Sequence, residues 1–382
     1  MTADRALPDE TGSLEPFLGD AHMELQKIFA DERFPNVVVA LDGTVVATWG
    51  TQNLVVRRSE DGGATWGPTI EVGAGIHAGG TLVDEVTGDI LFFGHPEHPP
   101  KDNSTAPRTV YRSADTGCTW TPDETVFDED ARGHVPSLHF SEHGITLRHD
   151  AHRGRLLRPA RVYVEGAGYN MATFSEDRGR TWHASGPFPI DGTGEGCVAE
   201  LADGRIYYSS RQHRFAEGAP LHHERLHAFS HDGGATWQDA VHSSLPDGPR
   251  YRGDEKRGAN YNGHFGMAAG LTRLPITGRD ILLYSNADEE SHERMRMTVW
   301  ASLDGGVTWP VKRLVYKGGS AYSSLTAGRP GTASDGWIYL QFEGGPGGGC
   351  QVARFNLTWL ISGESTGDGE LPSWLEKKAA DK

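Results

Sequence analysis

The sequence predicts an all-β protein, a six-bladed β-propeller built from four-stranded antiparallel blades. Three observations lead to this prediction. An eight-residue motif occurs five times along the chain, and short apolar segments with strand-like composition flank its copies. Glycine supplies 50 of the 382 residues, well above its usual share of about 7%. A supersecondary unit that recurs in this way is typical of a propeller blade.

The repeated motif reads Ser-x-Asp-x-Gly-x-Thr-Trp. Its copies are SEDGGATW at 59–66, SADTGCTW at 113–120, SEDRGRTW at 175–182, SHDGGATW at 230–237 and SLDGGVTW at 302–309. The aspartate accepts hydrogen bonds from later backbone amides and the glycine supplies a positive φ, so each copy predicts a hairpin turn covered by its tryptophan. The copies start 54 to 72 residues apart, which allows about six blades. Because the motif recurs, a structural role is favoured over a catalytic one.

The segments between the turns are expected to form strands, because apolar residues alternate or run together between glycine and aspartate turns. Examples are VVVALDGTVVATWG, GDILFFG, GRIYYSS, RDILLYSN and GWIYLQFE. The unequal spacing predicts loops of unequal length, where function commonly resides. The expected organisation is an N-terminal extension at 1–28, the propeller at 29–362 and a C-terminal tail at 363–382.

Composition disfavours several classes of protein. The net charge of −16 disfavours nucleic acid and anionic membranes as partners, and no apolar run approaches the roughly 20 residues of a membrane span. The three cysteines, Cys118, Cys197 and Cys350, give neither a disulfide framework nor a zinc signature. The first 20 residues contain no apolar stretch typical of a signal peptide, which leaves open a cytoplasmic protein or one secreted with its leader removed.

Neither a cofactor nor a metal is predicted. Three histidine-rich segments attract attention, HPEH at 95–98, HDAH at 149–152 and HHERLH at 222–227. None has the His-Glu-x-x-His spacing of a helical zinc motif. Solvated loops are therefore the favoured interpretation, although 18 histidines keep a metal site open as an alternative.

Six further positions accompany the repeat, each in a distinctive local sequence. They are Arg33 in ERFPNVVVALDG, Glu195 and Arg211 in GTGEGCVAELADGRIYYSSR, Arg294 in ESHERMRMTVW, Tyr322 in GGSAYSSLTA and Glu343 in GWIYLQFE. Together with the repeat, which is the Asp-box or BNR motif, they make the chain resemble the sialidases from about residue 29 to residue 360. Phe34 stands where the family has an isoleucine after its first arginine.

The resemblance assigns an expected role to each position. It implies that Arg33, Arg211 and Arg294 grip a substrate carboxylate and that Glu343 steadies Arg33. It also implies that Tyr322 is a nucleophile with Glu195 as its base. An arginine fork pairs well with a carboxylate. A neutral tyrosine avoids repulsion by an anionic substrate, but its usual pKa near 10 requires a base.

The implied activity is that of a retaining exo-glycosidase that releases a terminal sialic acid or a related 2-keto-3-deoxy sugar acid from a glycan. One departure from the family is evident. The family's general acid is an aspartate on a long loop between the second and third strands of the first blade, whereas the segment 47–59 is short and contains no Asp or Glu. Losing such an acid lowers the reaction rate by about 10²–10⁴-fold.

A histidine from another loop is a candidate substitute, whereas a hydrogen-bonded loop histidine is the interpretation favoured for each one taken singly. His77 in GAGIHAGG is the preferred candidate for the acid, and His134 and His264 are further candidates. His264 in NYNGHFGM is expected to contact the substrate. Two alternatives stay open: a non-hydrolytic propeller that binds a sugar acid, and elimination or transglycosylation at the same site. The presence of both Tyr322 and Glu195 favours an enzyme.

Overall fold

The computed structural model describes residues 7, 10–98, 107–164, 167–212, 222–249, 266–291 and 293–375. Over these residues the secondary structure is almost entirely β. The helical segments are α1 (Leu357–Ile361), two 3₁₀ turns, Glu15–Leu18 and Asp150–His152, and a short helical stretch at 373–375. Within the same ranges, no helix has the length and apolar character needed to cross a bilayer.

The strands of the first half are β1 (Met23–Phe29), β2 (Asn36–Val39), β3 (Val45–Trp49), β4 (Asn53–Ser59), β5 (Ile70–Ala74), β6 (Ile76–His77), β7 (Leu82–Val83), β8 (Ile90–His95), β9 (Thr109–Ser113), β10 (Thr121–Asp123), β11 (Val126–Phe127), β12 (Ile145–Thr146), β13 (Leu156–Val164) and β14 (Ala167–Ser175). Those of the second half are β15 (Thr181–Ala184), β16 (Thr193–Glu200), β17 (Ile206–Gln212), β18 (Glu224–Ser230), β19 (Gln238–Pro246), β20 (Gly270–Arg273), β21 (Leu282–Ala287), β22 (Met295–Ser302), β23 (Val311–Ala327), β24 (Ile338–Gly344), β25 (Cys350–Phe355) and β26 (Glu364–Ser365).

The described strands assemble into five sheets, formed by β2–β5, by β6–β10, by β11–β15, by β16–β19, and by β20–β25 together with β1 and β26. Neighbouring strands pair antiparallel, except that β11 runs parallel to β15. The 17-residue strand β23 pairs with β22 through its first half and with β24 through its second half. The prediction of an all-β, mainly antiparallel fold is confirmed.

Buried apolar side chains fill the layers between consecutive sheets. Representative pairs, in order around the molecule, are Val46 with Phe92, Phe93 with Trp182, Leu157 with Tyr208, Tyr207 with Tyr284, and Val45 with Tyr339. The last pair joins the eight-stranded sheet to the first sheet, so the ring of sheets is closed. Strands such as β8 and β21 are buried on both faces, which explains their continuous apolar sequences.

Each Asp-box forms a turn between two antiparallel strands, as predicted, and the structure places this turn between β4 and β5, β9 and β10, β14 and β15, β18 and β19, and β22 and β23. In the fourth box, Asp232 accepts hydrogen bonds from the Thr236 amide (2.9 Å), the Thr236 hydroxyl (2.6 Å) and the Ser230 hydroxyl (2.7 Å). These bonds lower the pKa of Asp232 even though burial acts to raise it. Gly234 has a φ of 85°, and a Cβ there would come within 2.5 Å of the Leu157 side chain. The positive φ and the close approach of Leu157 explain why this position is a glycine.

The termini are more closely integrated than the predicted boundaries imply. Strand β1, most of which falls within the predicted extension at 1–28, pairs antiparallel with β25 and is therefore part of the last sheet. Phe17, from the same segment, is fully buried in the core around Tyr322. Beyond residue 362, β26 pairs with β23 and Asp368 accepts a hydrogen bond from the Trp309 amide (2.9 Å).

Candidate active site

Tyr322, Glu195 and Arg211 form a hydrogen-bonded cluster that strands β23, β16 and β17 bring together. The Tyr322 hydroxyl donates to Glu195 Oε1 at 2.7 Å, and Arg211 donates through Nη1 to Glu195 Oε2 and to the Tyr322 oxygen. These side chains are at most 8% exposed. Burial alone would lower the pKa of Arg211, but the charge of Glu195, its hydrogen bond to Arg211 and the nearby Tyr322 and Asp247 together outweigh burial and raise that pKa above its ordinary value. A carboxylate in this position can accept a proton from the phenol.

Two irregularities in strand pairing place these side chains. The register of β16 against β17 shifts between Gly194 and Gly196, which leaves Glu195 outside the regular ladder. The register of β23 against β24 shifts between Ser320 and Ser323, on either side of Tyr322. Bulges of this kind re-aim a side chain and are common beside active sites.

Glu195 is also held through its main chain. Its carbonyl oxygen accepts a hydrogen bond from Arg225 Nη2 at 2.9 Å. Arg225 is paired through Nη1 with Asp247 Oδ1 at 2.9 Å, and both side chains are at most 1% exposed. Asp247 in turn accepts a bond from the amide of Gln212, the residue after Arg211 (2.9 Å). This buried ion pair therefore links the backbones that carry Glu195 and Arg211.

Arg33 approaches the cluster from the segment between β1 and β2. Its guanidinium forms a two-pronged pair with Glu343, at 3.0 Å and 3.1 Å, and Glu343 also accepts from the Phe34 amide at 3.1 Å. The Glu343 charge raises the pKa of Arg33 despite an opposing contribution from burial. The predicted contact between Arg33 and Glu343 is thus present. Phe34 has a φ of 74°, an unusual value for a bulky residue.

Two more arginines complete a cationic surround. The guanidinium carbons of Arg33 and Arg294 lie 4.9 Å and 5.0 Å from the Tyr322 ring centroid, and Arg161 Nη1 lies 3.7 Å from Glu195 Oε1. With Arg211, four guanidinium groups face the carboxylates of Glu195 and Glu343. The excess of positive charge suits a small monoanionic ligand.

The structure describes two of the three predicted histidines, His77 and His134. His77 is fully buried in β6; Nε2 lies 2.8 Å from the Thr48 hydroxyl and Nδ1 accepts from the Gly79 amide at 2.9 Å. Burial, reinforced by the charge of Arg158, lowers the pKa of His77 to about 3. A neutral ring with both nitrogens engaged does not suit a general acid, so this environment argues against the predicted role. His264 lies outside the described residues. His134 Nδ1 is 3.0 Å from the Tyr169 hydroxyl.

A carboxylate nevertheless lies at the short turn of the first sheet. Strand β3 ends at Trp49 and β4 begins at Asn53, and Glu32 folds onto the residues between them. Its Oε2 atom accepts from the amides of Thr51 and Gln52 and from the Thr51 hydroxyl. Within the described residues, Oε2 is the atom of the Glu32 carboxylate that accepts hydrogen bonds. Glu32 is exposed and immediately precedes Arg33.

A cavity of about 140 Å³ lies further along the same inner strands. Ala199 and Thr326 line it; each is four residues beyond Glu195 or Tyr322, a distance of about 13 Å along a strand. Its charged groups are engaged in ion pairs, for example Glu10 with Arg273 and Glu85 with Arg148. None of the predicted site residues lines this cavity, so it is separate from the cluster around Tyr322.

Sequence reasoning missed Arg161 and Arg225 as members of the site, and it missed the contact of Glu32 with the β3–β4 turn. Arg161 stands in LLRPARVYV and Arg225 in ERLHAFS, and a charge inside a strand-like apolar run is a usable signal because buried charges are rare unless paired. Glu32 offered no such signal, since its contact depends on a fold-back onto a turn about twenty residues later in the chain.

Comparison with known proteins gives a consistent result. The family model described as a BNR repeat-like domain matches residues 31–334. The sialidase of Micromonospora viridifaciens is 31% identical over 365 residues, which cover 87% of this chain and 52% of that protein. The chain thus spans about half the length of this curated relative.

Solved structures agree on the fold. A Hadza microbial sialidase, Hz136, superposes with a TM-score of 0.64 at 24% identity, covering 86% of this chain and 66% of that one. The intramolecular trans-sialidase of Ruminococcus gnavus superposes with a TM-score of 0.60 at 16% identity, covering 88% and 98%. At these identities the likeness concerns the fold.

Proposed function

Because the chain belongs to the BNR-repeat sialidase superfamily, we propose that it is a retaining exo-glycosidase acting on a terminal sialic acid or a related 2-keto-3-deoxy sugar acid. The observation that carries this proposal is the 2.7 Å hydrogen bond from the Tyr322 hydroxyl to Glu195, set among arginines. A protein that only bound a sugar acid would need the arginines but not this nucleophile–base pair.

We also infer a count of six blades. Residues 311–319 of β23 pair with β22, whereas residues 320–327 pair with β24. If β23 serves both as the outer strand of one blade and as the inner strand of the next, the eight-stranded sheet corresponds to two blades. The N-terminal strand β1 then supplies the outer strand of the last blade and closes the ring.

The substrate carboxylate would bind to Arg33, Arg211 and Arg294. Arg211 and Arg33 are already oriented by Glu195 and Glu343, so little side-chain freedom is lost when the ligand arrives. Arg294 is anchored by a hydrogen bond from Nη2 to the Gly266 carbonyl (3.1 Å). The sugar's anomeric carbon, which bears the carboxylate, would then lie close to Tyr322.

In the proposed reaction the Tyr322 oxygen attacks the anomeric carbon while Glu195 takes the phenolic proton and the aglycone leaves. Water then attacks the anomeric carbon and gives its proton to the Glu32 carboxylate, which protonates the departing aglycone in the first step. The bond to the Tyr322 oxygen breaks, Glu195 returns the phenolic proton to Tyr322, and the sugar acid is released with net retention. Arg211 and Arg161 flank Glu195 and balance its charge in the resting state.

Protonation of the aglycone is assigned to Glu32. The carboxyl group is anchored at Oε2 by the β3–β4 turn, the place where the related enzymes carry their acid loop. Its exposure leaves room for an aglycone, in contrast to His77. This assignment predicts that Glu32→Gln lowers turnover of alkyl glycosides by about 10²–10⁴-fold and changes aryl glycoside turnover little, because a phenol leaves without protonation.

The test offers aryl and alkyl glycosides of sialic acid, Kdn and Kdo to the protein and follows the products by NMR. Wild type is expected to turn over at least one aryl glycoside, and Tyr322→Phe is expected to abolish that turnover. Glu60→Gln is a matched control, since Glu60 is an exposed carboxylate paired with Arg58. Binding without turnover of any aryl substrate would refute the enzyme assignment, and equal losses on aryl and alkyl substrates in Glu32→Gln would refute the acid.

A second candidate function, elimination or transglycosylation on the same cluster, is favoured by the short β3–β4 turn. Without the usual acid loop, the site is expected to select water less strongly over other hydroxyl groups as the acceptor of the sugar. NMR distinguishes these outcomes directly, because elimination gives a 2,3-unsaturated acid and intramolecular transfer gives an anhydro sugar.

A further inference from the structure

His222, Glu224 and His242 come together on the outer strands of the fourth sheet. Their ligating atoms all lie within 4.8 Å of one another. The two imidazole rings stack with centroids 3.9 Å apart and planes inclined by 23°, and His222 Nδ1 lies 3.9 Å from Glu224 Oε2. The HHERLH segment was expected to be a solvated loop, but its residues from Glu224 onward belong to strand β18.

Strand geometry explains the arrangement. Positions 222 and 224 are two apart, so their side chains point to the same side of the chain. His242 lies on the adjacent strand β19, where Leu226 is its pairing partner. The register shifts between Glu224 and Leu226, and this irregularity brings His242 within reach of the preceding positions.

Two imidazoles and one carboxylate are the ligand set of many zinc sites with three protein ligands and one open position. Zinc–ligand bonds of about 2.0–2.1 Å place neighbouring ligand atoms about 3.3 Å apart in a tetrahedron. The present separations, up to 4.8 Å, exceed this by at most about 1.5 Å, a change that side-chain rotation supplies. We propose that His222, Glu224 and His242 bind a Zn²⁺ ion.

The metal site is distinct from the candidate active site but lies on the same sheet. Leu226 pairs with Ser210 on β17 and with His242 on β19. His242 therefore lies about 10 Å, two strand spacings, from the residue next to Arg211. A bound Zn²⁺ would tie β19, the outermost strand of this sheet, to the start of β18. Its role is to fix the outer strands, independently of the proposed glycosidase activity.

The test titrates Zn²⁺ into metal-free protein by calorimetry and records the visible spectrum after Co²⁺ substitution. Wild type is expected to bind one equivalent, with the intense d–d bands of a low-coordinate Co²⁺ site and a raised Tm. His222→Ala, Glu224→Gln and His242→Ala should each weaken binding by about 100-fold or more, since even residues that only support ligands change affinity by about 10–100-fold.

His183→Ala is the matched control, because His183 forms a two-residue pair with Asp128 (2.7 Å); it should bind Zn²⁺ as wild type does. Glu224→Gln keeps the size of the side chain and guards against misfolding as an explanation. Absence of stoichiometric binding by wild type would overturn the proposal. Equal affinities of wild type and His242→Ala, or a Zn²⁺-induced rise in Tm that persists in that variant, would also overturn it.

Discussion

Replacing Asp247 by leucine tests the buried ion pair that holds Glu195. In the variant, Arg225 stays in a site where it is 1% exposed, bonded to carbonyl and hydroxyl oxygens but without the Asp247 carboxylate. Breaking a buried pair in this way costs about 3–5 kcal/mol. The Gln212 amide also loses its acceptor, which adds about 1 kcal/mol. We therefore expect Asp247→Leu to lower the free energy of unfolding by about 4 kcal/mol or more at pH 7.

Removing the second charge should restore much of this loss. Arg225→Met combined with Asp247→Leu leaves no buried charge from the pair, and such replacements are often neutral or stabilising. The double variant is expected to recover at least about 2 kcal/mol relative to Asp247→Leu. Activity should not recover with it, because the Arg225→Met substitution in the double variant removes the donor to the Glu195 carbonyl.

The assay is urea unfolding followed by tryptophan fluorescence for wild type, both single variants and the double variant, with kcat/KM measured in parallel. A loss below about 1 kcal/mol in Asp247→Leu, the level of an exposed pair, would refute the reasoning. A double variant whose loss equals the sum of the single losses would refute it as well. Full activity in the stable double variant would show that Glu195 does not depend on Arg225.

Three further outcomes are expected. Burial lowers the pKa of His77 to about 3, against about 6.5 in the unfolded chain. The free energy of unfolding therefore falls as the pH drops below 6.5, because the unfolded chain then binds a proton that the buried ring does not. The stability gap between wild type and His77→Gln should narrow by about 2 kcal/mol between pH 7 and pH 5; an unchanged gap contradicts this. Asp232→Ala should cost about 2 kcal/mol and Asp232→Asn clearly less, because the amide keeps one acceptor oxygen; equal losses in urea unfolding would contradict the turn geometry. Glu343→Gln should raise KM about tenfold with a smaller change in kcat, because Arg33 loses its charged partner; a kcat effect alone would place Glu343 elsewhere in the mechanism.

The sequence is informative wherever a local pattern determines the structure. The Asp-box predicts its own turn because the aspartate, the glycine and the capping hydroxyls act within eight residues. Gly234 and its equivalents adopt positive φ in all five boxes, while the preceding position accepts Thr116 and Arg178 in the same conformation. Tyr322, Glu195 and Arg211 were predicted jointly from their surrounding motifs, and they lie in contact.

What the sequence did not reveal depends on contacts between distant segments. The pairing of β1 with β25 joins residues more than 300 positions apart, and no local periodicity records it. Strand β23 passes from one pairing partner to the next without ending, although Gly318 and Gly319, a pair that would predict a turn, stand at the change of partner. His77 was expected in an accessible loop, but packing against Phe92 and the Thr48 hydroxyl buries it. Burial of a polar side chain is a property of the assembled sheets.

The most direct measurement of the central claim is covalent trapping. The reagent is a sialosyl fluoride that carries a second fluorine at C3. Its anomeric fluoride leaves without acid assistance, and the C3 fluorine slows release of the sugar from the nucleophile. Incubation followed by intact and peptide mass spectrometry should show one adduct, located on Tyr322, that Tyr322→Phe does not form. Labelling of a different residue, or turnover of aryl glycosides with no adduct on Tyr322, would contradict the account.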